Sequence, residues 1–128
     1  MADWDDVARL ALALPGTDER VSRQHRQWRV KDKLFVWERP LRRSDLDALG
    51  DAAPSGPILG ARVEHEGAKQ ALVQDPSGIY FTTPHFRGYP AILVQLDPIG
   101  PQDLEELVTE AWLCRATPKL LKEFRSAP

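Results

Sequence analysis

The sequence is poor in sulfur and in long apolar runs. It has one cysteine, Cys114, and one methionine in 128 residues. A single thiol excludes an internal disulfide and any zinc site built from several cysteines. No apolar run approaches the ~20 residues that span a bilayer. Met1 leads directly into Asp3, Asp5 and Asp6, unlike the basic-then-apolar order of a secretory signal. The simple expectation is a cytoplasmic protein with no membrane partner. The phosphate-binding Gly-rich loop before Lys-Ser/Thr, the dinucleotide Gly-x-Gly-x-x-Gly turn and the Gly-x-Ser-x-Gly elbow are all missing. His65-Glu66-Gly67-Ala68-Lys69 lacks the second histidine that a helical zinc pair needs. No metal, cofactor or catalytic residue is expected.

What is present is ordinary globular usage, with 42% hydrophobic and 28% charged residues. A chain this long suits one domain, residues 1–128, with a core that needs no covalent staple. The net charge of −2 conceals an asymmetry. Arg20 to Arg43 holds nine Lys or Arg against Asp32 and Glu38, a local +7, and the rest of the chain carries −9. Such a segment reads either as the solvated face of a hairpin or as a surface for an anion or nucleic acid.

Periodicity predicts a first helix over 3–14, capped by Asp3 and buried through Trp4, Val7, Ala8, Ala11 and Leu14, with Pro15-Gly16 as its stop. Residues 23–38 read as a β-hairpin turning at Lys31-Asp32-Lys33. Alternation there puts Trp28 and Val30 on one face and Arg29 and Lys31 on the other. A helical turn is expected over 45–49 and a loop over 50–57. Strands follow over 58–63, 79–82 and 91–96. Residues 66–74 read as a helix facing inward through Ala68, Ala71 and Leu72. The C-terminal part is helical from Pro101, with a stripe of Leu104, Leu107, Val108, Ala111 and Trp112. A short last helix follows, capped by Thr117 and buried through Leu120, Leu121 and Phe124. This order implies α+β architecture, an antiparallel β-sheet packed on one face against N- and C-terminal helices.

Two groups of residues are candidates for function. Arg23, Arg26, Arg29, Lys31, Lys33, Arg42, Arg43 and Arg87 could contact nucleic-acid phosphates, provided that the hairpin's basic side chains share one exposed face. Thr83, His85 and Tyr89, in a loop between two strands, could hold a small ligand or a partner; the alternative is a loop plugged into the core by Phe86. Cys114 reads as a half-buried structural thiol, and the four tryptophans read as packing residues.

Several stretches in order resemble the MmcQ/YjbR family. They are Leu12-Ala13-Leu14-Pro15-Gly16, Trp28-Arg29-Val30-Lys31-Asp32-Lys33-Leu34-Phe35, Tyr80-Phe81-Thr82-Thr83-Pro84-His85-Phe86, Gly88-Tyr89-Pro90, Ile92-Leu93-Val94-Gln95-Leu96, and Leu104-Glu105-Glu106-Leu107 to Ala111-Trp112 with Pro118-Lys119. The resemblance implies a YjbR-like fold similar to CyaY, and a family commonly labelled DNA-binding without established catalytic residues. DNA is the partner it suggests. Independently of it, a monomer or a weak homodimer through an open sheet edge is the expected assembly. Iron binding, which the CyaY likeness also raises, is disfavoured because the first helix offers only Asp3, Asp5 and Asp6 and the next strand is basic.

Overall fold

A computed structural model describes residues 2–126. Helix α1 (Trp4–Leu12) opens on a reciprocal cap, in which the Asp6 N–H donates to the Asp3 carboxylate at 2.9 Å and the Asp3 N–H to Asp6 at 3.0 Å. Three strands follow as a meander, β1 (Thr17–Ser22), β2 (His25–Val30) and β3 (Lys33–Glu38). Both of its turns have two residues with positive φ, Arg23 (52°) with Gln24 (71°) and Lys31 (48°) with Asp32 (68°). This left-handed backbone suits the twist of tight hairpins.

The remaining elements are α2 (Arg43–Leu49), β4 (Ile58–Arg62), α3 (Glu66–Val73), β5 (Tyr80–Phe81), β6 (Ala91–Gln95), α4 (Pro101–Arg115) and α5 (Pro118–Ser126). Short 3-10 turns lie at Gly50–Ala52 and Pro84–Phe86. The sheet runs β1-β2-β3-β4-β6-β5 with every neighbour antiparallel. The α+β expectation holds.

The main core lies between one sheet face and α1, α4 and α5. Trp28, Val30, Phe35 and Val36 meet Val7, Ala11, Leu104, Val108, Ala111 and Trp112 there. A bulge makes this possible: Trp28 opposes Val36 while Arg29 opposes Leu34, so Phe35 and Val36 both turn inward. Trp112 also donates its indole N–H to the Pro15 carbonyl at 3.0 Å, fastening α4 to the end of α1.

Four expectations need correction. Thr17–Ser22 is a strand, and its polar composition (TDERVS) hid it because an edge strand can be solvated on both faces. Lys31 belongs to the tight turn, so it does not share a strand face with Arg29. In α3 Ala71 is exposed, and the residue that turns fully inward is Lys69. The second sheet face is not bare. Trp37, Ile58, Phe86, Ala91 and Leu93 form a smaller cluster there, with Leu34, Leu41 and Phe81 packed against it.

Gly60 makes that second layer possible. It pairs with Trp37 across β3–β4, and the indole lies directly over it. A methyl group at Gly60 would stand 2.6 Å from Trp37 Nε1. Gly60→Ala is therefore expected to destabilise the fold by about 1–3 kcal/mol through overpacking. Urea unfolding followed by tryptophan fluorescence measures this, and Trp37→Leu in the same chain should relieve part of the loss.

Candidate functional site

The basic residues separate according to what the fold does with them. Arg26 is on the helix-facing side of β2 and belongs to the core margin. Its guanidinium reaches Glu19 at 3.0 Å and Asp5 at 3.4 Å and lies 5.3 Å from the Trp28 ring centre. Glu19 also accepts the Trp28 indole N–H at 2.9 Å. The Arg26 hydrogen bond, opposed by burial and aided by Trp28, holds the Glu19 carboxyl below its usual range. Arg20 pairs with Asp18 and Asp32.

Arg29 points to the opposite face. It is half-buried and donates to the Asp32 carbonyl at 3.0 Å and to the Gln27 side chain at 2.9 Å. The candidates therefore do not share one face, as the single-hairpin reading required. They gather at two ends. Arg23 is in the β1–β2 turn, and Arg42 and Arg43 open α2 beside the end of β3. Lys31 in the β2–β3 turn and Lys33 at the start of β3 lie at the other end of a six-residue strand, about 20 Å away at the rise of a β-strand. Arg23, Lys31, Lys33, Arg42, Arg43 and Arg87 are all exposed.

The loop over the second face is held by two buried cations. Lys69 is 1% exposed, and its ammonium donates to the carbonyls of Phe86 at 2.6 Å and Tyr89 at 3.1 Å. Arg39 pairs with Asp45 at 2.9 Å, donates to the Pro40 carbonyl at 2.6 Å and lies over the Phe86 ring at 5.2 Å. Burial pushes the Asp45 carboxyl up, but the Arg42 backbone N–H at 2.8 Å and the Arg39 guanidinium outweigh it, so the net shift is downward. The Thr83 hydroxyl faces the same carboxylate and adds to the lowering, without the geometry of a full hydrogen bond. Sequence reading missed Arg39, Asp45 and Lys69. Only Lys69 had a signal, since it precedes Leu72 by three and Val73 by four and so lies on their side of α3.

Thr83, His85 and Tyr89 are not brought together. Thr83 is buried beside Asp45; His85 is exposed and meets the Phe86 ring edge-on at 5.0 Å; Tyr89 is exposed, its hydroxyl accepting from Arg62 at 3.1 Å. None of them lines either of two grooves found among the described residues. The larger, about 890 Å³, lies between α1 and α4 and is rimmed by Asp6, Glu105, Glu106 and Glu110. The smaller, about 430 Å³, lies between α1, β2 and the segment after β3. His65 caps α3 by accepting the Ala68 N–H at 3.0 Å. Cys114 is half-buried, and burial, then Glu64 and Glu110, push its thiol above the usual range. Among the described residues no cluster of His, Cys, Asp or Glu could hold a metal, and no helix is long and apolar enough to cross a membrane.

A family model described as YjbR matches residues 12–114. The chain belongs to the YjbR family. It is 55% identical over 127 residues to "Uncharacterized protein Rv2570" of Mycobacterium tuberculosis (strain ATCC 25618 / H37Rv), covering 97% of this chain and 96% of that one. The same figures hold for "Uncharacterized protein Mb2600" of Mycobacterium bovis (strain ATCC BAA-935 / AF2122/97). No solved structure matches the chain.

Asp45→Asn is expected to cost about 3–5 kcal/mol, since it leaves the Arg39 guanidinium buried without its counter-charge. Glu19 and Asp45 also set an acid limit. Both carboxyls are lowered in the folded state, so their contribution is complete above the unfolded carboxyl range, near about pH 4–4.5. It is lost as pH falls through their folded values. Calorimetric melting from neutral to acid pH should show Tm falling across that window, with a shallower fall in Glu19→Gln.

Proposed function

We propose that this YjbR-family protein is a non-enzymatic DNA-binding protein that holds phosphates with the basic side chains its fold leaves unpaired. The observation that carries the reading is how the cations are sorted. Arg20, Arg26 and Arg39 are bound to carboxylates. Arg23, Lys31, Lys33, Arg42, Arg43 and Arg87 stand in solvent without an ion pair among the described residues. An exposed cation without a partner keeps its full charge for a phosphate.

The acids support the same reading. Asp103, Glu105, Glu106 and Glu110 are on the solvent side of α4, which covers the opposite face of the sheet from the loop carrying Arg87. A polyanion approaching the meander and that loop is shielded from them by the sheet and helices. Contacts at both ends of the meander fix position along a backbone and carry no base sequence. Arg29 serves less directly, because its guanidinium already holds the β2–β3 turn.

Fluorescence anisotropy with labelled DNA across a salt series tests this reading. Affinity should fall steeply with salt, and Lys31→Glu/Lys33→Glu should make the logarithmic slope shallower by about 2. Arg26 is unsuitable for such a variant, because replacing it breaks the Glu19 and Trp28 contacts. Absence of binding at low salt overturns the proposal.

A further inference from the structure

The smaller groove is mainly apolar. Trp4, Leu41, Leu46, Pro54 and Pro57 are among its lining, and His25 and Glu38 add polar atoms. Its size, about 430 Å³, falls within the range of small-ligand pockets. Leu46 is 45% exposed, so an apolar wall faces water. Trp4 is half-buried and stacks on Trp28 at 6.3 Å between ring centres, which fixes the indole in place.

No Lys or Arg lines the groove itself, but exposed arginines adjoin its lining residues in the chain. Arg42 and Arg43 follow Leu41 directly and precede Leu46 by four and three at the start of α2, and Arg23 is two residues before His25; all three are without an ion pair among the described residues. Of the acids nearby, Asp5 pairs with Arg26, Glu38 accepts the Arg26 backbone N–H at 2.8 Å and keeps its charge, and Asp47 is exposed. A largely apolar slot with one half-buried indole, flanked in the chain by exposed arginines, fits a ligand that joins a flat aromatic ring to a phosphate. Duplex DNA keeps its bases stacked inside and would offer this slot nothing, whereas a single strand has free base faces.

We infer that this groove is a base pocket and that the protein prefers single-stranded to duplex DNA. The inference rests on the phosphate-binding reading above and adds its ligand class. In this reading Arg23, Arg42 and Arg43 hold phosphates that flank a base lodged against Trp4, His25 and Leu46. The carboxylate of Glu38 keeps lone pairs for an exocyclic amino group, which favours cytosine or adenine over thymine.

The test compares a short single strand with a duplex of equal length by anisotropy and by tryptophan emission. Trp28 and Trp112 are fully buried and Trp37 is 9% exposed, so Trp4 is the indole a bound base can quench. The single strand should bind about tenfold tighter than the duplex and quench emission. Leu46→Asn, which adds no charge beside Arg42 and Arg43, should remove that advantage without altering duplex binding or the melting curve, and His25→Ala should weaken it. Equal affinity for both forms, unaltered by Leu46→Asn, overturns the base pocket and leaves the phosphate reading standing. Binding of neither form overturns both. An uncharged apolar peptide that occupies the groove and is not displaced by the oligonucleotide also overturns it.

Discussion

The close approach of the Trp37 indole to the backbone at Gly60 is the contact on which the second face of the sheet depends. With no Cβ beneath it, the ring lies flat on β4 and becomes the floor for Phe86 and Leu41. Those side chains bring down the loop after β5 and the segment after β3, and together they seal the Arg39–Asp45 pair from water. The order of dependence matters. A buried ion pair recovers its desolvation cost only when its geometry is held by something else. Here apolar packing supplies the dry site, and the ion pair fixes how the start of α2 is seated upon it.

The same logic governs the exposed charges. A formal excess of arginine over the first half of the chain says little until internal carboxylates have taken their share. Glu19 illustrates this: one carboxylate accepts from both Arg26 and Trp28, joining an edge strand to the core margin. What remains on the surface is a smaller set of cations, gathered at the two ends of a meander instead of along one face. In a protein whose net charge is slightly negative, that segregation leaves local positive fields at both ends of the meander.

Much of the fold was legible because its signals are local. The Asp3 cap, the Pro101 start and the Leu104-to-Trp112 stripe each declare a helix within a few residues, and all three are present. Trp28 and Val30 announced the buried side of β2 through simple alternation. The failures share a different cause. The strand Thr17–Ser22 owes its place to pairing with β2, since nothing in its own composition demands it. Arg26 looked like a surface cation because its partner Glu19 was not yet in a strand. Lys69 was not counted on the inward face of its helix, since lysine is seldom buried, and the carbonyls that satisfy it are 17 and 20 residues away. At the candidate site, residue type was legible and pairing was not.

Lys69 has one further consequence, for how the molecule opens. Its ammonium is fully enclosed, and its hydrogen bonds go to backbone carbonyls on either side of Arg87. If α3 lifted away alone, those carbonyls would lose their donor; if the loop peeled back alone, the cation would lose its acceptors. Neither piece has a low-energy route to separate fraying, so helix and loop form one cooperative unit of local unfolding. Amide protons in α3 and in residues 84–89 should then exchange with solvent through a common opening, although the two segments are distant in sequence.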